Sequence, residues 1–238
     1  MLLCDLNCDM GEGIGNDEAI MPFISSANIA CGYHAGDDVT MEKTILLAKK
    51  YGVAIGAHPS FFDRENFGRT EMKLSLKEIY DLVQKQIKLI KSIAAKHDVS
   101  LQHVKPHGAL YNLSARNVAI ANAIALAVKD YDMNLILVGL SGSQSVKEAL
   151  QLGLKVKNEV FADRTYQDDG SLTPRSQPNA LIDDVAQAME QVLQTVYKKE
   201  VTAVSGKKIR MEAETICIHG DGQHAVEFAK AINKSLAQ

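Results

Sequence analysis

The residues able to do chemistry in this chain recur at one kind of place, the few positions after a short apolar run. Asn7, Asp9 and Glu12 follow the first run, and His34 and Asp37 the second. His58, Asp63, Arg64 and Arg69 follow the third, and Lys105, His107, Tyr111 and Asn112 the fourth. Ser141 and Ser143 follow the fifth, Asp163, Arg164 and Tyr166 the sixth, and His219 and Asp221 the seventh. Five of the seven histidines (His34, His58, His107, His219 and His224) fall at these positions or one turn on. Asp9, His34 and His58 come from three successive runs and offer a mixed nitrogen and oxygen donor set for zinc or a similar divalent ion. Without a metal, histidine–carboxylate pairs can move protons while Lys105 and Arg164 hold a carboxylate or an oxyanion. Asp221 stands two residues from His219 and is placed to orient its ring. Ser141 and Ser143 are candidate nucleophiles, though neither sits in a GxSxG turn. His97 ends a helical stretch and suits its dipole, and His103 lies mid-strand as a packed or hydrogen-bonded wall residue.

Elements of alternating type must position these groups. Strands are expected at Leu2–Cys8, Ala27–Cys31, Val53–Ala57, Leu101–Lys105, Leu135–Leu140, Lys155–Phe161 and Thr215–His219. They read as near-continuous apolar runs, the habit of parallel strands buried on both faces. Helices are expected at Met41–Lys50, Leu76–His97, Asn117–Lys129, Ser145–Gln151, Ala180–Lys198 and Gln223–Leu236. Ser75 and Glu78 form a capping box before the second of these, and Gly52 closes the first. The stretch from Glu200 to Ala213 reads as a hairpin, and by exclusion it is the candidate surface for a partner. Seven strands over 238 residues put one strand in about every 34 residues, the size of a βα unit. With no GxGxxG and no Walker sequence, a closed parallel β/α barrel fits better than an open nucleotide-binding sheet. The polar positions would then ring one mouth, at the carboxyl ends of the strands. One domain spanning residues 1–238 is the economical organisation.

Composition narrows the partners. The chain has 26 Lys and Arg against 29 Asp and Glu, a formal charge of −3. That balance disfavours nucleic acid, and 5% aromatics with no tryptophan disfavour a base-stacking platform. No apolar run reaches the roughly 18 residues of a membrane span, and the first residues lack the basic start of a signal peptide. The expected compartment is the cytoplasm. The four cysteines, at unrelated spacings, read as buried free thiols.

Six blocks carry a resemblance. DLNCDMGEG (5–13), ANIACGYHAGD (27–37), AHPSFFDRENFGR (57–69), VKPHGALYN (104–112), FADRTY (161–166) and IHGD (218–221) together resemble the LamB/YcsF family of ATP-hydrolysing 5-oxoprolinase A subunits. The small departures are Asp38, Thr70 and Gly222-Gln223. The resemblance implies a seven-stranded parallel β/α barrel, similar to the glycoside hydrolase/deacetylase superfamily. It implies opening of the lactam of 5-oxo-L-proline to L-glutamate, coupled to ATP hydrolysis and shared with subunits B and C. On that basis Asp9 or His107 is expected as general base, with Lys105, His219 and Asp221 as further catalytic groups. Asn7, Glu12, Arg69, Tyr111 and Arg164 are expected to bind substrate. Two alternatives stay open. One is a stand-alone metal-dependent amidase or deacetylase using Asp9, His34 and His58. The other is a non-catalytic subunit that only binds a lactam.

Overall fold

A computed structural model describes residues 3–222 and 224–237. The expected starts at Leu2 and Gln223 therefore lie outside the described residues. In chain order the elements are β1 (Asp5–Met10), α1 (Asp17–Ile20), a 3-10 turn (Met21–Phe23), β2 (Ser26–Ala30), α2 (Asp38–Tyr51) and β3 (Ala54–His58). There follow α3 (Leu76–Ala95), β4 (Leu101–Val104), α4 (Gly108–Arg116), α5 (Val118–Tyr131), β5 (Ile136–Leu140), α6 (Gln144–Gln151) and β6 (Lys155–Phe161). The chain continues with α7 (Val185–Lys198), β7 (Glu200–Thr202), β8 (Lys208–Arg210), β9 (Thr215–His219) and α8 (Ala225–Leu236). Strands β1 to β6 and β9 close a seven-stranded parallel barrel in which β9 pairs with both β6 and β1. β7 and β8 form the expected antiparallel hairpin outside it. None of the described helices is long and apolar enough to cross a membrane.

The strands are less uniformly apolar than their composition suggests, because one side of each faces the barrel axis. In β1, Leu6, Cys8 and Met10 belong to the apolar shell between barrel and helices. Asn7 and Asp9 alternate with them and bond across the interior. The interior is thus a polar network: Asn7 Nδ2 donates to Glu159 (3.0 Å) and Thr215 (2.7 Å), and Asn28 Nδ2 donates to Asn7 (2.7 Å) and Asp9 (2.8 Å). His103 is the wall residue the sequence suggests, with Nε2 2.8 Å from Asn28 Oδ1. Its ring occupies the space left by Gly56, where a Cβ would lie 2.2 Å from the imidazole. Only glycine admits that approach. All four cysteines are buried and free.

Helix boundaries follow their caps. Asp37 accepts the Thr40 N–H at 2.8 Å and starts α2, and Gly52 ends it in the left-handed region at φ 68°. The Ser75–Glu78 capping box is present. The expected helix from Ala180 begins only at Val185, because Asp184 caps it through the Gln187 N–H and Leu181 instead bridges to Arg164. The stretch after β4 forms a helix, α4, where none was expected; the expected helix from Asn117 is α5. His97 lies beyond the end of α3 and bonds Glu42 of α2 at 2.6 Å, so it ties two helices together.

Candidate active site

The carboxyl ends of the strands open into a cavity of about 700 Å³. Asp9, His58, Lys105, His107 and His219 lie at its floor, while Arg69, Tyr111 and Arg164 line its walls. Lys105 is 2% exposed and central. Its ammonium lies 2.9 Å from Asp9 Oδ1, 2.9 Å from Glu159 Oε1, 3.1 Å from Cys217 Sγ and 3.3 Å from Asn7 Oδ1. Burial would depress Lys105, but the charges of Asp9 and Glu159 overcome it and hold the amine well above its usual range. Burial likewise disfavours ionised Asp9, yet His58 and Lys105 keep that carboxylate well below the usual range. Tyr111 brings a buried hydroxyl beside Glu159, and burial and that carboxylate hold it well above the usual phenol range.

His219 is held at two points by one carboxylate. Its backbone N–H donates to Asp163 Oδ2 at 2.8 Å, and its Nδ1 lies 2.9 and 3.0 Å from the two oxygens of the same carboxylate. A carboxylate only accepts, so Nδ1 carries the hydrogen and Nε2 keeps its lone pair. The ring stacks on Phe161 at 5.6 Å between centroids. Burial opposes ionisation of Asp163, but His219 outweighs it and holds the carboxylate below its usual range.

The other histidines form a second cluster. His58 Nδ1 is 2.7 Å from the Lys105 carbonyl, and His107 Nε2 is 2.9 Å from the Phe67 carbonyl. Both nitrogens must therefore carry hydrogen when the rings are neutral. That leaves His58 Nε2 and His107 Nδ1 facing each other, lone pair to lone pair, at 2.9 Å. Such a contact is repulsive unless a proton or a metal ion lies between the rings. Glu12 Oε1 stands 3.5 Å from His107 Nδ1 and 3.0 Å from His34 Nε2. Donor atoms of Glu12, His34, His58 and His107 all lie within 4.8 Å of one another, so this group can hold a divalent ion. His34 lies parallel to His107, centroids 3.8 Å apart. Its in-plane lone pair cannot converge on the point that His107 addresses. His58, His107 and Glu12 are therefore the fitting ligands, with His34 holding Glu12. Burial and then the neighbouring histidines push His34 and His107 well below the imidazole range, while burial and Asp9 push Glu12 well above the carboxyl range.

Several expected roles change. Asp221 does not orient His219; it pairs with Arg69 at 2.8 Å, and Asp163 does the orienting. Of the expected Asp9, His34, His58 metal trio, Asp9 Oδ2 lies 3.3 Å from His58 Nε2 while its Oδ1 accepts from Asn28 and Lys105, and the tighter donor group joins His34 and His58 to Glu12 and His107 instead. His107, expected as a general base, has Nε2 at the Phe67 carbonyl and Nδ1 opposite His58 Nε2. Asn7 is 2% exposed, with its amide bonded inside the barrel, and does not reach the cavity. Glu12 faces imidazoles rather than substrate. Lys105 is committed to Asp9 and Glu159, so it is not free to seize a substrate carboxylate. His224 lies outside the main cavity and bonds Glu227 at 2.8 Å. Ser141 accepts the Glu212 N–H, and neither it nor Ser143 bonds a histidine. Sequence reasoning assigns no role to Asp163 or Glu159. The signal for Glu159 is an acid next to the apolar end of its strand, EVF; for Asp163 it is its place two residues past the strand end.

A closed parallel barrel with ionisable groups gathered at the carboxyl ends of its strands defines a β/α-barrel protein of the catalytic type. The LamB/YcsF family matches residues 4–238, and the chain belongs to it. It is 53% identical over 243 residues to the A subunit of 5-oxoprolinase from Tolumonas auensis, covering 100% of this chain and 97% of that protein. The corresponding 5-oxoprolinase A subunit of Brevibacillus brevis is 50% identical over 242 residues, with 100% and 95% covered. Among solved structures, a lactam utilization protein from Thermus thermophilus superposes with a TM-score of 0.90 at 42% identity, over 98% of this chain and 95% of that one. A family 4 carbohydrate esterase from Streptomyces lividans shares the fold alone, with a TM-score of 0.50 at 12% identity over 98% and 87%.

Proposed function

We propose that this chain is the ring-opening subunit of an ATP-dependent 5-oxoprolinase, converting 5-oxo-L-proline to L-glutamate with partner subunits B and C. The observation that carries the reading is full-length likeness, at 50% identity or more, to proteins named as 5-oxoprolinase A subunits. A five-membered lactam is a stable amide, and phosphorylation of its oxygen makes the ring carbon a far better electrophile. In this reading the partners use ATP for that activation. Water then adds at the ring carbon and the C–N bond breaks, so the nitrogen leaves as the amine of a γ-glutamyl phosphate; a second water cleaves that mixed anhydride and releases glutamate and inorganic phosphate.

His219 is the general base, its Nε2 aimed at the attacking water and its Nδ1 fixed by Asp163. Asp163 is a positioning residue. Asp9, paired to Lys105, keeps a negative charge at the floor and favours the protonated form of His219 as it develops. Tyr111, its hydroxyl buried beside Glu159 and held protonated, is a donor for the oxyanion. Arg69 and Arg164 supply positive charge from the walls.

A second reading is favoured by the opposed lone pairs of His58 and His107: a metal-dependent amide hydrolase. A divalent ion held by Glu12, His58 and His107 would lower the pKa of water and polarise a carbonyl. One experiment separates the readings. Glutamate release from 5-oxoproline is followed with the purified chain, with and without ATP and the two partner subunits. Turnover only when all are present is expected. Turnover by the chain alone without ATP, or on adding zinc, sinks the coupled reading and leaves the metal-dependent one. A lactam-binding subunit without chemistry predicts that His219→Gln weakens binding and complex activity in parallel, rather than lowering kcat alone.

A further inference from the structure

The cavity also has a cationic wall, where Arg164, Arg175 and Lys147 make no ion pair among the described residues although Asp163 and Asp169 stand near. Arg164, the third residue after β6, is 5% exposed. Its Nε donates to the Ala180 carbonyl at 3.2 Å and one terminal nitrogen to the Thr173 carbonyl at 2.6 Å. Both acceptors are neutral, and the other terminal nitrogen makes no hydrogen bond among the described residues. Those two bonds hold the loop between β6 and α7 against the barrel mouth. The same loop brings Arg175 to the cavity. Burial and then the Arg175 charge pull Arg164 down to about 10, so the two guanidinium groups feel each other strongly. Like charges in a half-dry cavity repel, and an anion between them removes the penalty.

The amino end of α6 lines the same cavity through Ser143, Gln144 and Lys147. The first N–H groups of a helix lack partners within it. Ser143 holds the capping position, yet its hydroxyl makes no capping bond; that oxygen is buried and unpartnered. Lys147 makes no ion pair among the described residues and stands in the first turn. Two guanidinium groups, an ammonium, a hydroxyl and a helix end exceed what the two oxygens of a carboxylate can use. They match a dianion with three terminal oxygens.

We propose that Arg164, Arg175, Lys147 and the Ser143 end of α6 form a subsite for a phosphoryl group on the substrate, and for the inorganic phosphate released from it. The subsite rests on the ring-opening reading in naming where the phosphoryl group comes from. It explains why the cavity is larger than a five-membered ring needs. The activated lactam would bind with its ring over His219 and its phosphoryl group on the cationic wall.

The test is isothermal titration of inorganic phosphate, and separately of 5-oxoproline, into the purified full-length chain and its variants. Wild type is expected to bind phosphate, more weakly as salt rises. Arg175→Ala is expected to weaken that binding about 10- to 100-fold. Lys147→Ala, at an exposed position, should weaken it by a smaller factor. Arg164→Lys keeps the charge and loses the fork, so it should also weaken phosphate; thermal melts of each variant verify folding. Phosphate bound equally by wild type and Arg175→Ala overturns the subsite, as does no phosphate binding at all. If only 5-oxoproline binding responds to Arg175→Ala, the wall holds a carboxylate and the phosphoryl assignment is wrong. Phosphate binding with no partner-dependent glutamate release keeps the subsite and sinks the ring-opening reading; the reverse pattern sinks the subsite alone.

Discussion

Replacing Asp163 by asparagine should disable the proton transfer assigned to His219 while leaving the barrel intact. One oxygen, Oδ2, now serves both the His219 backbone N–H at 2.8 Å and Nδ1 at 2.9 Å. An asparagine has a single oxygen. If that oxygen keeps the backbone N–H, the amide nitrogen turns to Nδ1 and donates to it. Nδ1 must then accept, the ring hydrogen moves to Nε2, and the lone pair leaves the cavity. A positioned acid or base is worth about 100- to 10,000-fold, and loss of the correct imidazole tautomer belongs in that range. We expect kcat for glutamate release by the complete complex to fall by about 100-fold or more, with KM changing by no more than about 3-fold. Nitrogen-15 NMR of the ring reads the tautomer directly, so the cause is checked along with the effect. A variant with a kcat within about 3-fold of wild type, or a lost rate with the Nδ1–H tautomer intact, refutes the assignment.

Three further outcomes are expected. Gly56→Ala places a methyl 2.2 Å from the His103 ring, and the barrel cannot yield there without breaking the bond to Asn28; a loss of about 3 kcal/mol or more in urea unfolding is expected, and an unchanged midpoint would show that the ring moves freely. His103 is held near pKa 4 in the folded protein, chiefly by burial, against about 6.5 unfolded. The unfolded chain therefore takes up a proton first, so stability is full above about pH 6.5 and falls by about 3 kcal/mol toward pH 4; His103→Gln should flatten the unfolding curve between those pH values, and an equally steep curve in that variant would refute the burial argument. Zinc titrated into metal-stripped protein should bind near one ion per chain, with Glu12→Gln, His58→Ala and His107→Ala each weakening it about 10-fold or more; binding undiminished in His58→Ala would rule out the cluster.

How much was legible from the residues depended on how local each feature is. Capping boxes, the αL glycine at 52 and the spacing of β and α units are set within one turn or one strand. The closed parallel barrel followed from them, since β/α units of that size have few ways to bury both faces of their strands. The mouth was legible for the same reason: a polar residue just past a parallel strand end has one direction in which to point. Asp9, His58, Lys105, His107 and His219 do meet there.

What the tertiary structure decided was the pairing. Asp221 is two residues from His219 and Asp163 is 56 away, yet Asp163 holds the ring. β6 and β9 lie side by side in the barrel, with Phe161 level with Cys217. Residues at the ends of two neighbouring strands can touch, whereas Asp221 lies beyond the end of β9 in a turn that carries it to Arg69. Register likewise sent Asn7 into the barrel interior, where its amide is used up, and Glu12 meets the imidazoles of His34 and His107. The sequence by itself determined which residue types gather at the mouth, because strand period and unit length are local properties. Which of them touch depends on inter-strand register and side-chain direction, and those exist only once the barrel has closed.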